Sequence, residues 1–142
     1  MPDTVLGFDY GERRVGVAVG QQITGTATPL ETIAWREEDG LLAAIDRLVE
    51  EWQPDAFVVG IPLTAAGEVQ PLTRAARRFA GILGDRFRRA VHHVDERYTS
   101  RAADARFRAL RAAGAVRRRD GARQDAVAAQ MILEQWLAER TP

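Results

Sequence analysis

Val5 to Tyr10 is a short apolar run, and beyond the turn Gly11-Glu12-Arg13 the residues Val15, Val17 and Val19 alternate with Gly16, Ala18 and Gly20. Alternation at period two marks a strand and the glycine supplies the turn, so the chain opens as strand, turn, strand. Thr24, Thr26 and Thr28 alternate with Ile23, Gly25 and Ala27 and predict a third, more polar strand over 23–28. Together these three predict an antiparallel meander. Leu41, Ile45, Leu48, Val49 and Trp52 then recur at helical spacing until Gln53-Pro54-Asp55 stops the helix. The unbroken apolar segment Ala56 to Val59 reads as a buried parallel strand.

From Thr73 the spacing is helical again, with Ala76, Phe79, Leu83 and Phe87 on one stripe and Arg74, Arg77 and Arg78 on another. A fifth strand is expected over Ala90 to Asp95. Ser100 to Ala113 reads as a basic amphipathic helix, with Ala103, Phe107 and Leu110 inward and Arg101, Asp104, Arg108 and Arg111 outward. Residues 114–123 contain two glycines, few apolar residues and the run Arg117-Arg118-Arg119, which predicts a loop. Ala128, Ala129, Ile132, Leu133 and Trp136 form the inner stripe of a last helix opened by Asp125. The expected fold is α/β: a mixed five-stranded sheet, a three-stranded antiparallel meander plus two parallel strands, flanked by helices on both faces. Residues 1–142 read as a single domain, with no repeat, linker or low-complexity segment.

Composition narrows the chemistry. The chain has no cysteine, so a disulfide framework and a thiolate metal site are excluded. No apolar leader and no apolar run near ~18 residues stands in the sequence, which predicts a cytoplasmic protein without a membrane anchor. Twenty basic and 20 acidic side chains give a formal net charge of zero, but the zero is a sum of unlike parts. Residues 1–73 hold 4 arginines and 12 carboxylates, residues 74–123 hold 15 and 5, and residues 124–142 hold 1 and 3. The middle segment, at +10, is either a solvated helical face or an electrostatic footprint for phosphate, and Arg117, Arg118 and Arg119 are its densest run.

Three carboxylates stand where folding alone does not call for them. Asp9 lies inside the first strand, between Phe8 and Tyr10, where an unpaired buried charge costs several kcal/mol. Glu96 follows the fifth strand in phase with His92 and Val94, whereas its rival Asp95 points to the opposite face. Asp125 shares a stripe with Ala128, Ala129 and Ile132 and faces the core side, either as an N-terminal cap or as a site residue near the positive end of the helix dipole. Parallel first, fourth and fifth strands bring the first two together, and the last helix can lay the third beside them. Three carboxylates that close repel one another and call for a divalent cation. His92 and His93 read as ordinary strand residues, and Trp52 and Trp136 as core.

Leu6 to Val19 (LGFDYGERRVGVAV), Val58 to Pro71 (VVGIPLTAAGEVQP), Val94 to Ala103 (VDERYTSRAA) and Asp125 to Leu137 (DAVAAQMILEQWL) resemble the four signature stretches of the YqgF/RuvX family. The resemblance runs from about Leu6 to Leu137. It implies a ribonuclease H-like fold and a Mg²⁺-dependent endonuclease, with Mn²⁺ as a substitute ion. The implied substrate is structured RNA in 5′-end processing of pre-16S rRNA during ribosome biogenesis. The alternative is branched DNA in Holliday-junction resolution, which implies a homodimer because two strands related by a twofold are cut. A non-catalytic nucleic-acid-binding module is a third reading, and an actin-like ATPase half is disfavoured by length, since that architecture needs two such domains. By the same resemblance Asp9, Glu96 and Asp125 are the catalytic Mg²⁺ ligands, while Arg14 and Arg97 contact phosphate or orient the carboxylates. Two positions depart from the family pattern: Thr64 replaces a frequent asparagine, and Arg13 replaces a lysine.

Overall fold

The computed structural model describes residues 3–95 and 121–140. Its strands are β1 (Thr4–Tyr10), β2 (Arg14–Gln21), β3 (Thr26–Ala34), β4 (Ala56–Ile61) and β5 (Ala90–Asp95); its helices are α1 (Glu38–Trp52), α2 (Pro71–Phe87) and α3 (Gly121–Arg140). They build one five-stranded sheet in the order β3-β2-β1-β4-β5. β1, β2 and β3 pair antiparallel as a meander, and β4 and β5 extend the sheet in parallel from β1. The expected mixed sheet with helices on both faces is the one observed.

Alternation along the strands divides the core in two. Leu6, Phe8, Val15, Val17, Phe57 and Val59 point to the face covered by α1 and α2, where they meet Ile45, Phe79 and Leu83. Val5, Ala18, Val58 and Val94 point to the other face, where they meet Ala129, Leu133 and Trp136 of α3. β4 is buried along its whole length, as its unbroken apolar run requires. α1 ends at Gln53, whose left-handed backbone (φ 45°) lets its N–H reach the Val49 carbonyl. α2 is tied to the end of β4 by the fully buried Thr73, whose hydroxyl donates to the Pro62 carbonyl and accepts from the Gln70 N–H (2.9 Å). Across their outer surfaces α1 and α2 are joined by ion pairs Glu38–Arg78 and Asp46–Arg86, the second bidentate at 2.9 and 2.6 Å.

Two boundaries differ most from expectation. The third strand does not occupy 23–28 but starts at Thr26 and runs to Ala34. Gly25 adopts φ +68°, its N–H bonds the Gln21 carbonyl at 2.9 Å, and Ile23 is 86% exposed, so the first half of the threonine alternation belongs to a turn. β3 tolerates Pro29 because it is an edge strand and because a bulge places Pro29 opposite Ala18, with Leu30 as the extra residue. The last helix begins at Gly121, so the final three residues of the expected loop 114–123 are helical. Ala122 and Arg123 are good helix formers, and low apolar content alone does not stop a helix. The helix expected over Ser100 to Ala113 and the rest of that loop lie outside the described residues. Among the described residues no helix is long and apolar enough to cross a membrane.

Candidate active site

Asp9 is the penultimate residue of β1 and stands directly across from Gly16 in the antiparallel register. Residues opposed in this way present their side chains to the same face. For Asp9 that is the α3 face, which the pleat assigns also to Val5. Gly16 lets the helix reach the sheet at this point. A Cβ built on it would stand 2.0 Å from the Asp125 carbonyl oxygen and 2.9 Å from the Ala126 nitrogen. The α3 backbone at Asp125 therefore rests on the sheet at the residue paired with Asp9, which brings two of the three expected carboxylates to one place.

Asp125 is the fifth residue of α3, one turn inside the helix. The capping role is thereby excluded, and the dipole contribution is weaker than at a terminus because it falls off within the first turn. The side chain is only 26% exposed, and Oδ2 lies 3.2 Å from Arg14 Nε. That approach is electrostatic: the buried Oδ2 accepts no hydrogen bond among the described residues. Burial pushes the Asp125 carboxyl above the ordinary carboxylate range, and the Arg14 guanidinium pulls it only part of the way back. A carboxylate oxygen that is buried, negatively charged and short of donors suits a hard divalent cation. Among the described residues, no group of three acidic or histidine side chains gathers here.

β1, β4 and β5 run parallel, so their C-terminal ends lie at one edge of the sheet. Asp95 ends β5 opposite Ile61, on the face away from α3. The next two residues, Glu96 and Arg97, lie outside the described residues, as do Arg117, Arg118 and Arg119. The phase that Glu96 was expected to share does face α3: Val94 is in that core, and the His92 ring packs 4.9 Å from the Trp136 ring. Arg140 stacks over the same indole at 4.5 Å and approaches His92 Nδ1. Burial lowers the His92 pKa, and the charges of Arg140 and His93 lower it further. Trp136 is core, as expected; Trp52 is half-buried at the edge of the opposite core.

Thr64, the departure from the asparagine pattern, has its hydroxyl engaged in its own loop. It accepts from the Glu68 N–H at 2.9 Å, while the Thr64 carbonyl accepts from Gly67. An asparagine oxygen could fill the same acceptor role, but threonine brings no amide donor. Sequence reasoning missed Trp35 and Arg36. The structure joins them to Arg13 and Arg14 around a cavity of about 710 Å³ beside the Asp125 contact. The only available signal was the β2–β3 pairing that sets Arg14 against Ala34, and the misplaced third strand concealed it.

A family model described as RuvX, Holliday junction resolvase, matches residues 3–139. The chain belongs to the RuvX family. Relatives named "Putative pre-16S rRNA nuclease" include one from Aeromonas hydrophila, 45% identical over 139 residues and covering 96% of each chain. Another, from Xylella fastidiosa, is 46% identical over 135 residues, which span 95% of this chain and 87% of the relative. Among solved structures, Thermus thermophilus RuvC in complex with a Holliday junction substrate superposes with a TM-score of 0.62 at 18% identity, covering 97% of this chain and 95% of RuvC. The yeast mitochondrial Holliday junction resolvase Ydc2 gives 0.51 at 12% identity, over 94% of this chain and 77% of its own. These likenesses show that the RuvX-family chain has the ribonuclease H-like fold.

Proposed function

We propose that this RuvX-family chain is a metal-dependent endonuclease that hydrolyses phosphodiester bonds of structured nucleic acid. Its proposed role is in the cytoplasm, at the 5′ end of pre-16S rRNA, with residues 1–142 acting as one nuclease domain. The observation that carries the reading is the buried, donor-poor Oδ2 of Asp125, seated on Gly16 beside Asp9. The names of the relatives at 45–46% identity support nuclease activity and the RNA substrate.

In this reading Asp9, Asp125 and Glu96 hold Mg²⁺, for which Mn²⁺ can substitute. The ion supplies Lewis-acid activation of water and neutralises charge building on the phosphoryl group. The chain's own residues do the rest. Asp9 is fixed by the centre of the sheet and Asp125 by a helix backbone that Gly16 holds against it, so neither carboxylate needs reordering when substrate arrives. Arg14, half-exposed, balances Asp125 on one side and can reach a phosphate on the other. Arg97 and the Arg117-Arg118-Arg119 run add phosphate contacts that give affinity without base readout.

The test is a substrate panel with the purified protein, using end-labelled pre-16S leader RNA and a four-way DNA junction, each with Mg²⁺ or with EDTA. The expected result is Mg²⁺-dependent cleavage of the RNA. Paired, symmetric cuts in the junction with the RNA left intact would replace rRNA processing by junction resolution and imply a homodimer. Binding of both without cleavage of either would make the protein a nucleic-acid-binding module.

A further inference from the structure

The basic side chains are not equivalent once folded. Arg78 and Arg86 are committed to Glu38 and Asp46 on the α1–α2 face. Arg13 and Arg36 are exposed and form no ion pair among the described residues. With Arg14 they surround the 710 Å³ cavity between the β1–β2 turn and the segment joining β3 to α1; Glu12, Ala34 and Trp35 complete its lining. With Arg14 balanced by Asp125, Arg13 and Arg36 against the single lining carboxylate Glu12 still leave the recess cationic, and its size lies within the ~300–1,000 Å³ typical of ligand-binding cavities.

Its walls are fixed in advance. The Trp35 N–H donates to the Arg13 carbonyl at 2.9 Å, and the Trp35 indole N–H donates to the Gly11 carbonyl at 3.0 Å. The indole also packs against Tyr10, with ring centroids 6.0 Å apart. The turn itself is tight, since a Cβ on Gly11 would stand 2.6 Å from the Arg14 carbonyl oxygen. Both backbone stretches that carry the arginines are thus stapled to each other. Trp35 spends its donor and much of its ring on that task, which leaves the guanidiniums as the recognition groups. Their planar forks match phosphate oxygens and carry no base readout.

We propose that this recess is a backbone-phosphate subsite of the nucleic-acid strand, displaced from the Asp9–Asp125 pair, with Arg13 and Arg36 as its phosphate-binding residues. Arg14 joins the two places, because it lines the recess while its Nε lies 3.2 Å from Asp125 Oδ2. An occupant reaching from the recess to the carboxylates is an extended polyanion rather than a single small anion. The inference rests on the reading of the chain as a nucleic-acid enzyme, but it concerns affinity and not cleavage.

The experiment measures binding of fluorescein-labelled single-stranded RNA by anisotropy in EDTA, over a salt series, for the full chain. Arg13→Gln and Arg36→Gln each raise Kd by roughly 3- to 10-fold at low salt, and each flattens the slope of log K against log salt by ~0.7, the loss of one single-strand phosphate contact. Arg47→Gln, an exposed change of equal charge on α1, leaves Kd and slope near wild type. Unchanged melting temperatures show that the variants are folded. Wild-type affinity in both recess variants overturns the proposal, as does an equal loss in Arg47→Gln or a wild-type protein that binds no RNA. If Asp9→Asn still cleaves while Arg36→Gln binds weakly, the metal-site reading fails and the subsite stands.

Discussion

Gly16→Ala is the substitution that the geometry constrains most. The added Cβ would stand 2.0 Å from the Asp125 carbonyl oxygen and 2.3 Å from its carbon. Those atoms are helix backbone and cannot rotate aside. Contact distances near 3.0 Å are reached only if α3 withdraws by at least about 1 Å, since non-bonded atoms repel steeply inside their optimal ~3.5 Å separation. Overpacking of this kind costs ~1–3 kcal/mol, and a backbone obstruction belongs at the upper end, which lowers the urea midpoint by roughly 1–2 M. The same withdrawal carries Asp125 away from Asp9, and a 1 Å error at a reacting centre costs ~10²-fold in rate. Gly20→Ala is the control. Its Cβ meets Leu133 Cδ2 at 2.9 Å, the end of a flexible side chain, so stability falls by only about 1 kcal/mol and cleavage is retained. Urea denaturation and single-turnover cleavage read both effects. Wild-type stability and rate in Gly16→Ala would refute the packing of α3 against β2 that assembles the site.

Other substitutions test separate parts of the structure. Asp125→Asn removes a charge that burial disfavours, so it raises the melting temperature in EDTA and abolishes cleavage in Mg²⁺; a lower melting temperature would contradict the buried, under-satisfied carboxylate. Thr73→Val keeps the shape but strands the Pro62 carbonyl and the Gln70 N–H, and costs about 1–3 kcal/mol by urea denaturation. Gly81→Ala meets nothing within 4 Å inside α2 and stabilises by about 0.5–1 kcal/mol in the same assay. Hydrogen bonding to Arg86 holds the Asp46 carboxyl below its ordinary value, so this pair stabilises above the ordinary carboxylate range and the contribution disappears as pH falls through the lowered pKa. Asp46→Asn therefore narrows its stability difference from wild type on acidification, read as melting temperature against pH.

Much of the fold is written in periodicity, because burial on one or both faces of a sheet imposes it. The Val15-Val17-Val19 alternation and the unbroken Ala56-to-Val59 run led to strands that the structure contains, within a mixed sheet of antiparallel meander and parallel strands. The errors arose where local chemistry outweighs period: a glycine in the left-handed region cut the threonine series at Gly25, and the helix propensity of Ala122 and Arg123 extended α3 ahead of Asp125. Asp9 and Asp125 were legible as misfits, charged residues on stripes that otherwise face a core. That the last helix can lay Asp125 beside Asp9 was legible too; the close approach at Gly16 that seats it there was not, since the sequence shows Gly16 only as one glycine among 12. Charge alone also overvalued α2, where Arg78 and Arg86 are spent on ion pairs, and undervalued Arg13 and Arg36, which a β2–β3 register and two Trp35 hydrogen bonds draw to one recess.

We propose that Asp9 and Asp125 form the metal-binding heart of a nuclease. This is tested most directly by titrating Mg²⁺ into wild-type and Asp9→Asn protein and following cleavage of the same labelled RNA. With Asp9 as a metal ligand, the wild-type rate rises from zero with Mg²⁺ and saturates, and the Asp9→Asn rate stays at background throughout. Equal cleavage by both proteins, or wild-type cleavage that persists in EDTA, would contradict it.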